Sequence, residues 1–470
     1  VCHCGINIAG VVDVAAVRDY AGSLPYVAHV EDSLYTCSQD AQEQMLQVIK
    51  RENLNRVVVA ACSPRTHEPL FRETLVNSGL NKYLFEMANI RNHDSWVHGS
   101  DPDAATQKAM DLLRMAVTKV ALLEPLQDTT VDISQSALVV GGGVAGMVAS
   151  LHLADQGYPV TLVEAGSELG GHARQLRQTW RGENVTGFLT DLIARVNDSP
   201  HVRVYLKSEL KEVKGFVGNF QSKIQITGDN GAKFATLRHG VALIATGGQA
   251  VDTDEYLAGH HPRVLRWHQL DDAFEAGKLQ DARSIAFIQC VGSREPQRPY
   301  CSKICCTFSI QQALTIKEAY PDMDVFILYR DIRTYGQREE LYRRARAAGV
   351  IFIRYAVDAK PQVEVDSQGG LRLEIKDHIL QRPLVLTPDY ITLATAIETQ
   401  GAEALAQLFK VPLNQDKFFL EAHAKLRPVE CATDGVFLCG LAHYPKPLEE
   451  SIAQAQGAAS RAITVLAQKT

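Results

Sequence analysis

Ala137-Leu138-Val139-Val140-Gly141-Gly142-Gly143-Val144-Ala145-Gly146-Met147 is a short apolar run that breaks into glycines and resumes as an Ala- and Leu-rich segment. That pattern is a buried parallel strand, a tight turn and a helix. Gly141, Gly143 and Gly146 satisfy G-x-G-x-x-G, with Val144 and Ala145 opening the helix. The first glycine permits the turn, the second lets backbone approach a pyrophosphate, and the third allows close helix–strand packing. Amides at the helix N-terminus supply donors and partial positive charge for the phosphates. A second apolar strand, Val160-Thr161-Leu162-Val163, ends in Glu164, where a dinucleotide site places the acceptor for ribose hydroxyls. Leu169-Gly170-Gly171 is the extra loop expected when the dinucleotide is FAD.

Working outward, 470 residues exceed what one core supports, so two or three domains are expected. An N-terminal α/β domain is expected over 1–128, built on the helical stretch Ala41 to Lys50 and the strand Val57 to Ala61. The FAD-binding domain takes 129–251 and returns at 396–470, and a second α/β domain is inserted at 252–395. The strand ending in Ala245-Thr246-Gly247-Gly248 is the mark of a glutathione-reductase-type flavoprotein, where backbone comes back beside the cofactor. Thr433 to Gly440 is a further strand that meets the flavin's ribityl chain in that class. Leu441 replaces the usual acid, so a contact there is expected from backbone or His443. A helix from Pro447 turns its N-terminus toward the flavin.

Composition is that of a globular protein, 46% apolar and 22% charged. A net charge of −6 argues against a nucleic-acid surface, and no apolar run has the length of a membrane span. No export signal is evident, and a cytoplasmic setting is expected; the start at Val1 reads as truncated or processed.

Ten cysteines in such a chain point to metal or redox roles rather than structural disulfides. Cys290, Cys301, Cys305 and Cys306 form C-x10-C-x3-C-C, four soft thiolates suited to an iron–sulfur cluster or zinc. Adjacent Cys305 and Cys306 diverge on a helix, so either one of them joins the loop cysteines or both join an atypical geometry. Cys2, Cys4, Cys37 and Cys62 make a second possible set, each beside a turn or strand end. Cys431 and Cys439 are expected to be packing residues. The inserted domain lacks G-x-G-x-x-G after its first strand, Ser284 to Gln289. Cys290-Val291-Gly292-Ser293 stands there instead, which weakens nicotinamide binding.

Cys2-His3-Cys4-Gly5-Ile6-Asn7-Ile8, Tyr35-Thr36-Cys37-Ser38, Ala60 to Pro69, Leu84 to Arg91, the Gly141 loop and the Cys290–Cys306 set resemble the A subunit of heterodisulfide reductase over essentially the whole chain. The resemblance implies a thioredoxin-reductase-like fold behind a small N-terminal domain. It implies FAD, a [4Fe-4S] cluster on Cys290, Cys301, Cys305 and Cys306, and a second on the N-terminal cysteines. It further implies a cytoplasmic hetero-oligomer, dimeric through this chain, in which the flavin is the branch point of electron bifurcation. The implied partners are B- and C-like subunits that reduce a disulfide, a hydrogenase- or dehydrogenase-type donor, and ferredoxin. Two departures stand out: no ferredoxin insert fits between Gln175 and Val202, and no C-terminal ferredoxin run precedes Thr470. The alternatives are a self-contained NAD(P)H-dependent flavin oxidoreductase, with Arg330 and Arg333 meeting a phosphate, and a scaffold whose clusters only relay electrons.

Overall fold

A computed structural model describes residues 1–228, 231–377, 379 and 381–468. The chain forms two compact units, Val1–Val131 with His423–Arg427, and Asp132–Ala422 with Pro428–Thr470.

The first unit is built on two parallel strands, Val57–Ala61 and Phe85–Asn89, joined by the helix Pro64–Ser78. Proline at the first turn of that helix loses no intrahelical hydrogen bond, and Gly79 closes it in a left-handed conformation at φ 94°. Helix Pro102–Ala121 starts where the Asp101 carboxylate accepts from the Ala104 amide at 3.1 Å, a cap worth about 1 kcal/mol. It buries Ala105, Ala109 and Leu113 in the core of the unit. After Asn89 the chain makes a π-helical turn, Arg91–Ser95.

The second unit contains two parallel sheets. Five parallel strands of the first run in the order Val202–Tyr205, Val160–Val163, Ala137–Val140, Val241–Ile244, Val436–Leu438. The glycine-loop strand is central and wholly buried, as its unbroken apolar run requires. Helix Val144–Asp155 behind it is buried on nearly every side, packed against Ala455, Ala458, Ala459 and Ala462 of helix Leu448–Leu466. Small residues let those two helices approach closely. The second sheet runs Val264–Arg266, Tyr390–Thr395, Ser284–Val291, Asp324–Tyr329, Ile351–Arg354. Beside the first sheet stand three antiparallel strands, Ser208–Phe216, Asn219–Gly228 and Gly231–His239.

Candidate functional site

One large cavity opens at the carboxyl ends of the first sheet's strands, the usual ligand position in such sheets. Gly141, Gly143, Val144, Ala145, Glu164, Gly170, Gly171, Ala245, Thr246, Gly247 and Gly440 all line it. Gly146 does not; a Cβ there would run into the Gly141 carbonyl, so its part is the helix–strand packing expected of the third glycine. Gly143 is the opposite case. A Cβ on it meets nothing within 4 Å, so it would project into free space beside a helix start that no side chain caps. That is a cradle shaped for a phosphate. The Glu164 carboxylate accepts from the amides of Gly142, at 2.5 Å, and Gly166, at 2.6 Å, which fixes it at the cavity wall.

The cavity lining also holds polar atoms that the sequence did not reveal. His172 Nε2, Thr307 Oγ1, Gln311 Oε1, Thr395 Oγ1 and Ser451 Oγ are buried there without a hydrogen-bond partner. Orphaned buried polar atoms are costly, and five around one cavity fit a ligand with polar edges such as an isoalloxazine ring. His443 is not among them. Its ring nitrogens are occupied by Glu421, at 2.9 Å, and Gln454, at 2.7 Å, which corrects the expectation of a ribityl contact from it. Lys446 takes the place beside the cavity, donating to the Gly440 carbonyl at 2.7 Å, and burial pushes its ammonium down to about 8. The signal was a lysine held between Pro445 and Pro447, a stiff segment leading into the helix.

Cys290, Cys301, Cys305 and Cys306 line a second, small pocket with Arg294, Lys303, Asp331 and Arg333. Cys290 sits at the end of its strand at φ 62°, within an irregularity of the pairing between Ile288 and Val291. Cys305 and Cys306 are the first two residues of helix Cys305–Ala319, and because the pocket lies at the helix start both reach it. Cys305 also lines the large cavity, so one side chain is shared between the two spaces. Burial pushes the Cys306 thiol up to about 12 and Cys305 well above its ordinary range. Arg330 is buried, donating to the carbonyls of Ser293 and Arg294 at 3.0 and 2.9 Å and pairing with Glu295 at 2.9 Å. It is neither an exposed basic residue nor free to meet a phosphate.

In the first unit Cys2, Cys4, Cys37 and Cys62 come together. Cys2, Cys4 and Cys37 share an apolar cluster with Val59, Phe71 and Met87. Burial pushes the Cys62 thiol up to about 11, opposed by Arg91 and reinforced by Cys4, Cys37 and Cys2. Arg91 donates to Cys4 Sγ at 3.5 Å; its Nη2 is buried without a partner, and no carboxylate pairs with it among the described residues. A buried cation beside Cys4, Cys37 and Cys62 fits an anionic cluster held by thiolates. Among the described residues no three His, Cys, Asp or Glu side chains gather closely enough to hold a single metal ion. Zinc draws its ligands to one point, whereas a cluster spreads them over several irons.

Residues 139–208 match the NAD(P)-binding Rossmann-like domain family. The crystal structure of Lactococcus lactis thioredoxin reductase (FR conformation) superposes with a TM-score of 0.50 over 71% of this chain and 99% of that one, at 15% identity. The fold is thus thioredoxin-reductase-like. The A subunit of the H(2):CoB-CoM heterodisulfide,ferredoxin reductase of Methanothermobacter marburgensis is 37% identical, over 98% of this chain and 84% of that protein. The chain belongs to the heterodisulfide reductase A-subunit family. An iron-sulfur A subunit of the CoB--CoM heterodisulfide reductase of Methanopyrus kandleri, the second of two, is 36% identical over 99% of the chain and 85% of its own length. Both alignments are longer than this chain's 470 residues, so these relatives carry internal residues that it lacks.

As a member of the heterodisulfide reductase A-subunit family, the chain is an oxidoreductase component. No helix among the described residues is long and apolar enough to cross a membrane. Cys431 and Cys439 are fully buried in the second unit's cores, the packing role expected of them. Arg91, Arg294 and Lys446 join the cavity's orphaned polar residues among those that sequence patterns missed, because charge against a thiol or a carbonyl leaves no periodic trace.

Proposed function

We propose that this member of the heterodisulfide reductase A-subunit family is the FAD- and [4Fe-4S]-containing electron-transfer component of a heterodisulfide reductase-like complex. FAD, when bound, supplies the exchange between two-electron and one-electron chemistry. The protein's part is to bind and orient. The Gly141–Ala145 turn takes the pyrophosphate, Glu164 the ribose hydroxyls, and the Ala245–Gly247 and Gly440 backbones the flavin side. His172, Thr307, Gln311 and Ser451 offer the hydrogen-bond partners that a planar polar ring needs. Lys446 and the start of helix Leu448–Leu466 place positive charge where reduction adds negative charge. Cys290, Cys301, Cys305 and Cys306 hold one cluster, and Cys2, Cys4, Cys37 and Cys62 a second.

The observation that carries this reading is Cys305, whose side chain lines the cysteine pocket and the large cavity at once. With a cluster bound there, Cys305 would place one of its ligands at the cavity wall. Electron bifurcation, partner subunits of B and C type, a hydrogenase- or dehydrogenase-type donor, ferredoxin, and a cytoplasmic hetero-oligomer dimeric through this chain belong to the same proposal. Ten free thiols suit a reducing compartment.

A self-contained NAD(P)H oxidoreductase loses support, since Arg330 is engaged and Gly292 alone remains of a nucleotide turn. The test is the visible spectrum and iron content of anaerobically prepared chain, followed by stopped-flow reduction. Bound flavin and iron are expected, with bleaching by a low-potential ferredoxin and not by NADH or NADPH. Bleaching by either nucleotide at about 1 per second or faster would promote the alternative.

A further inference from the structure

Lys303 stands between the two pockets with one contact on each side. Its amide lies 3.3 Å from Cys301 Sγ, and its ammonium lies 2.6 Å from Oε2 of Glu450. Glu450 is in the first turn of helix Leu448–Leu466, whose start walls the large cavity through Pro447, Leu448, Glu449 and Ser451. The neighbouring groups extend the same tie. Tyr335 donates to Glu450 Oε1 at 2.7 Å, and its ring lies under the Lys303 ammonium at 5.2 Å. Arg338 pairs with Glu449, which also accepts from Trp180 Nε1 at 3.0 Å. Lys303, Tyr335 and Arg338 come from the region that carries the second sheet. Trp180, Glu449 and Glu450 come from the region that carries the first. Lys303 is also held at φ 67°, a backbone conformation that a lysine adopts only under constraint.

We infer that Lys303 and Glu450 are positioning residues, a clasp that holds the Cys301–Cys305 loop against the helix walling the flavin cavity and so fixes the gap electrons cross at Cys305. The inference deepens the proposed function and rests on that reading for the identity of the two groups being spaced. It does not rest on it for the clasp. A half-exposed ion pair contributes little to global stability, so its worth lies in local geometry.

The experiment uses the full chain prepared anaerobically, as wild type, Glu450→Gln, Lys303→Met and the double swap Lys303→Glu with Glu450→Lys. FAD and iron are counted for each. Amide hydrogen exchange is then read over residues 301–305 and 447–452, together with the magnetic broadening of the one-electron flavin signal by the reduced cluster. Each single variant is expected to keep its FAD and iron, to exchange about fivefold faster in both segments, and to lose broadening. The swap is expected to restore both, a rescue that loss of packing would not give. Unchanged exchange and broadening in the single variants, or failure of the swap to restore them, overturns the clasp. Wild-type chain free of flavin and iron overturns the proposed function and the electron gap with it, while the exchange measurement still judges the clasp.

Discussion

Arg91 Nη1 lies 3.5 Å from Sγ of Cys4, across eighty-seven residues of sequence. The contact joins a π-helical turn to the N-terminal loop and leaves Nη2 of the same guanidinium buried and unpaired. Its effect on stability therefore depends on what the four thiols carry. In the metal-free chain Arg91→Met removes a buried charge that the Asn92 side chain, at 3.2 Å, and the Trp96 ring, at 4.7 Å, compensate in part, and is expected to stabilise by about 1 kcal/mol. In the iron-loaded chain the same change removes the counter-charge of the cluster and is expected to lower Tm. Thermal unfolding of both forms checks it; a shift of the same sign in both would show that no anion is held there.

Two neighbouring glycines should fail in different ways. Gly143→Val has room for its side chain and is expected to fold, yet to hold no FAD, because the side chain fills the phosphate cradle. Gly146→Ala collides with the Gly141 backbone carbonyl and is expected to disturb the fold itself. Circular dichroism beside flavin content separates them.

The cysteines divide by place. Cys301→Ala or Cys305→Ala is expected to lower iron and labile sulfide by about one cluster per chain. Cys439→Ala is expected to leave iron unchanged and to destabilise by about 1 kcal/mol through the cavity it opens. Equal iron in all three would return the Cys290–Cys306 set to buried thiols.

Lys446 sets a pH dependence of the flavin-free chain. Burial holds its ammonium down to about 8, against an ordinary 10.5 when unfolded. Between those values the unfolded chain binds the extra proton, so stability is expected to rise with pH through that window. Below pH 8 both states are protonated and the cost of burying the charge is present in full. The gain is roughly 2 kcal/mol after allowing for partial exposure, and Lys446→Met is expected to abolish it. Urea unfolding of both chains at about pH 7.5 and about pH 10 checks the difference.

The glycine turn, the strands around it and the helical stretch Ala41 to Lys50, found within helix Gln39–Arg51, were legible because each is specified locally, by an apolar run or a helical stripe. Eleven of the residues singled out for the dinucleotide line one cavity because the turn chemistry of this sheet leaves them nowhere else to go. Convergence was not legible in the same way. Spacing left Cys2, Cys4, Cys37 and Cys62 scattered over sixty residues, and only the pairing of Val57–Ala61 with Phe85–Asn89 and the loops around it bring them together. Arg330 and His443 misled for the same reason: a polar residue's neighbours across the fold decide whether it is available, and those neighbours are distant in sequence.

Cys4 and Cys290 both hold left-handed backbone, at φ 45° and φ 62°. A residue without Cβ relaxes that conformation at once, by roughly 1 kcal/mol. At Cys4→Gly and Cys290→Gly that relief offsets the packing lost with the thiol, so a selection for heat resistance alone would hardly resist losing one cysteine from each set. Screens on this chain that read only solubility or melting temperature would leave such losses unseen, and libraries built from it need these two positions held fixed.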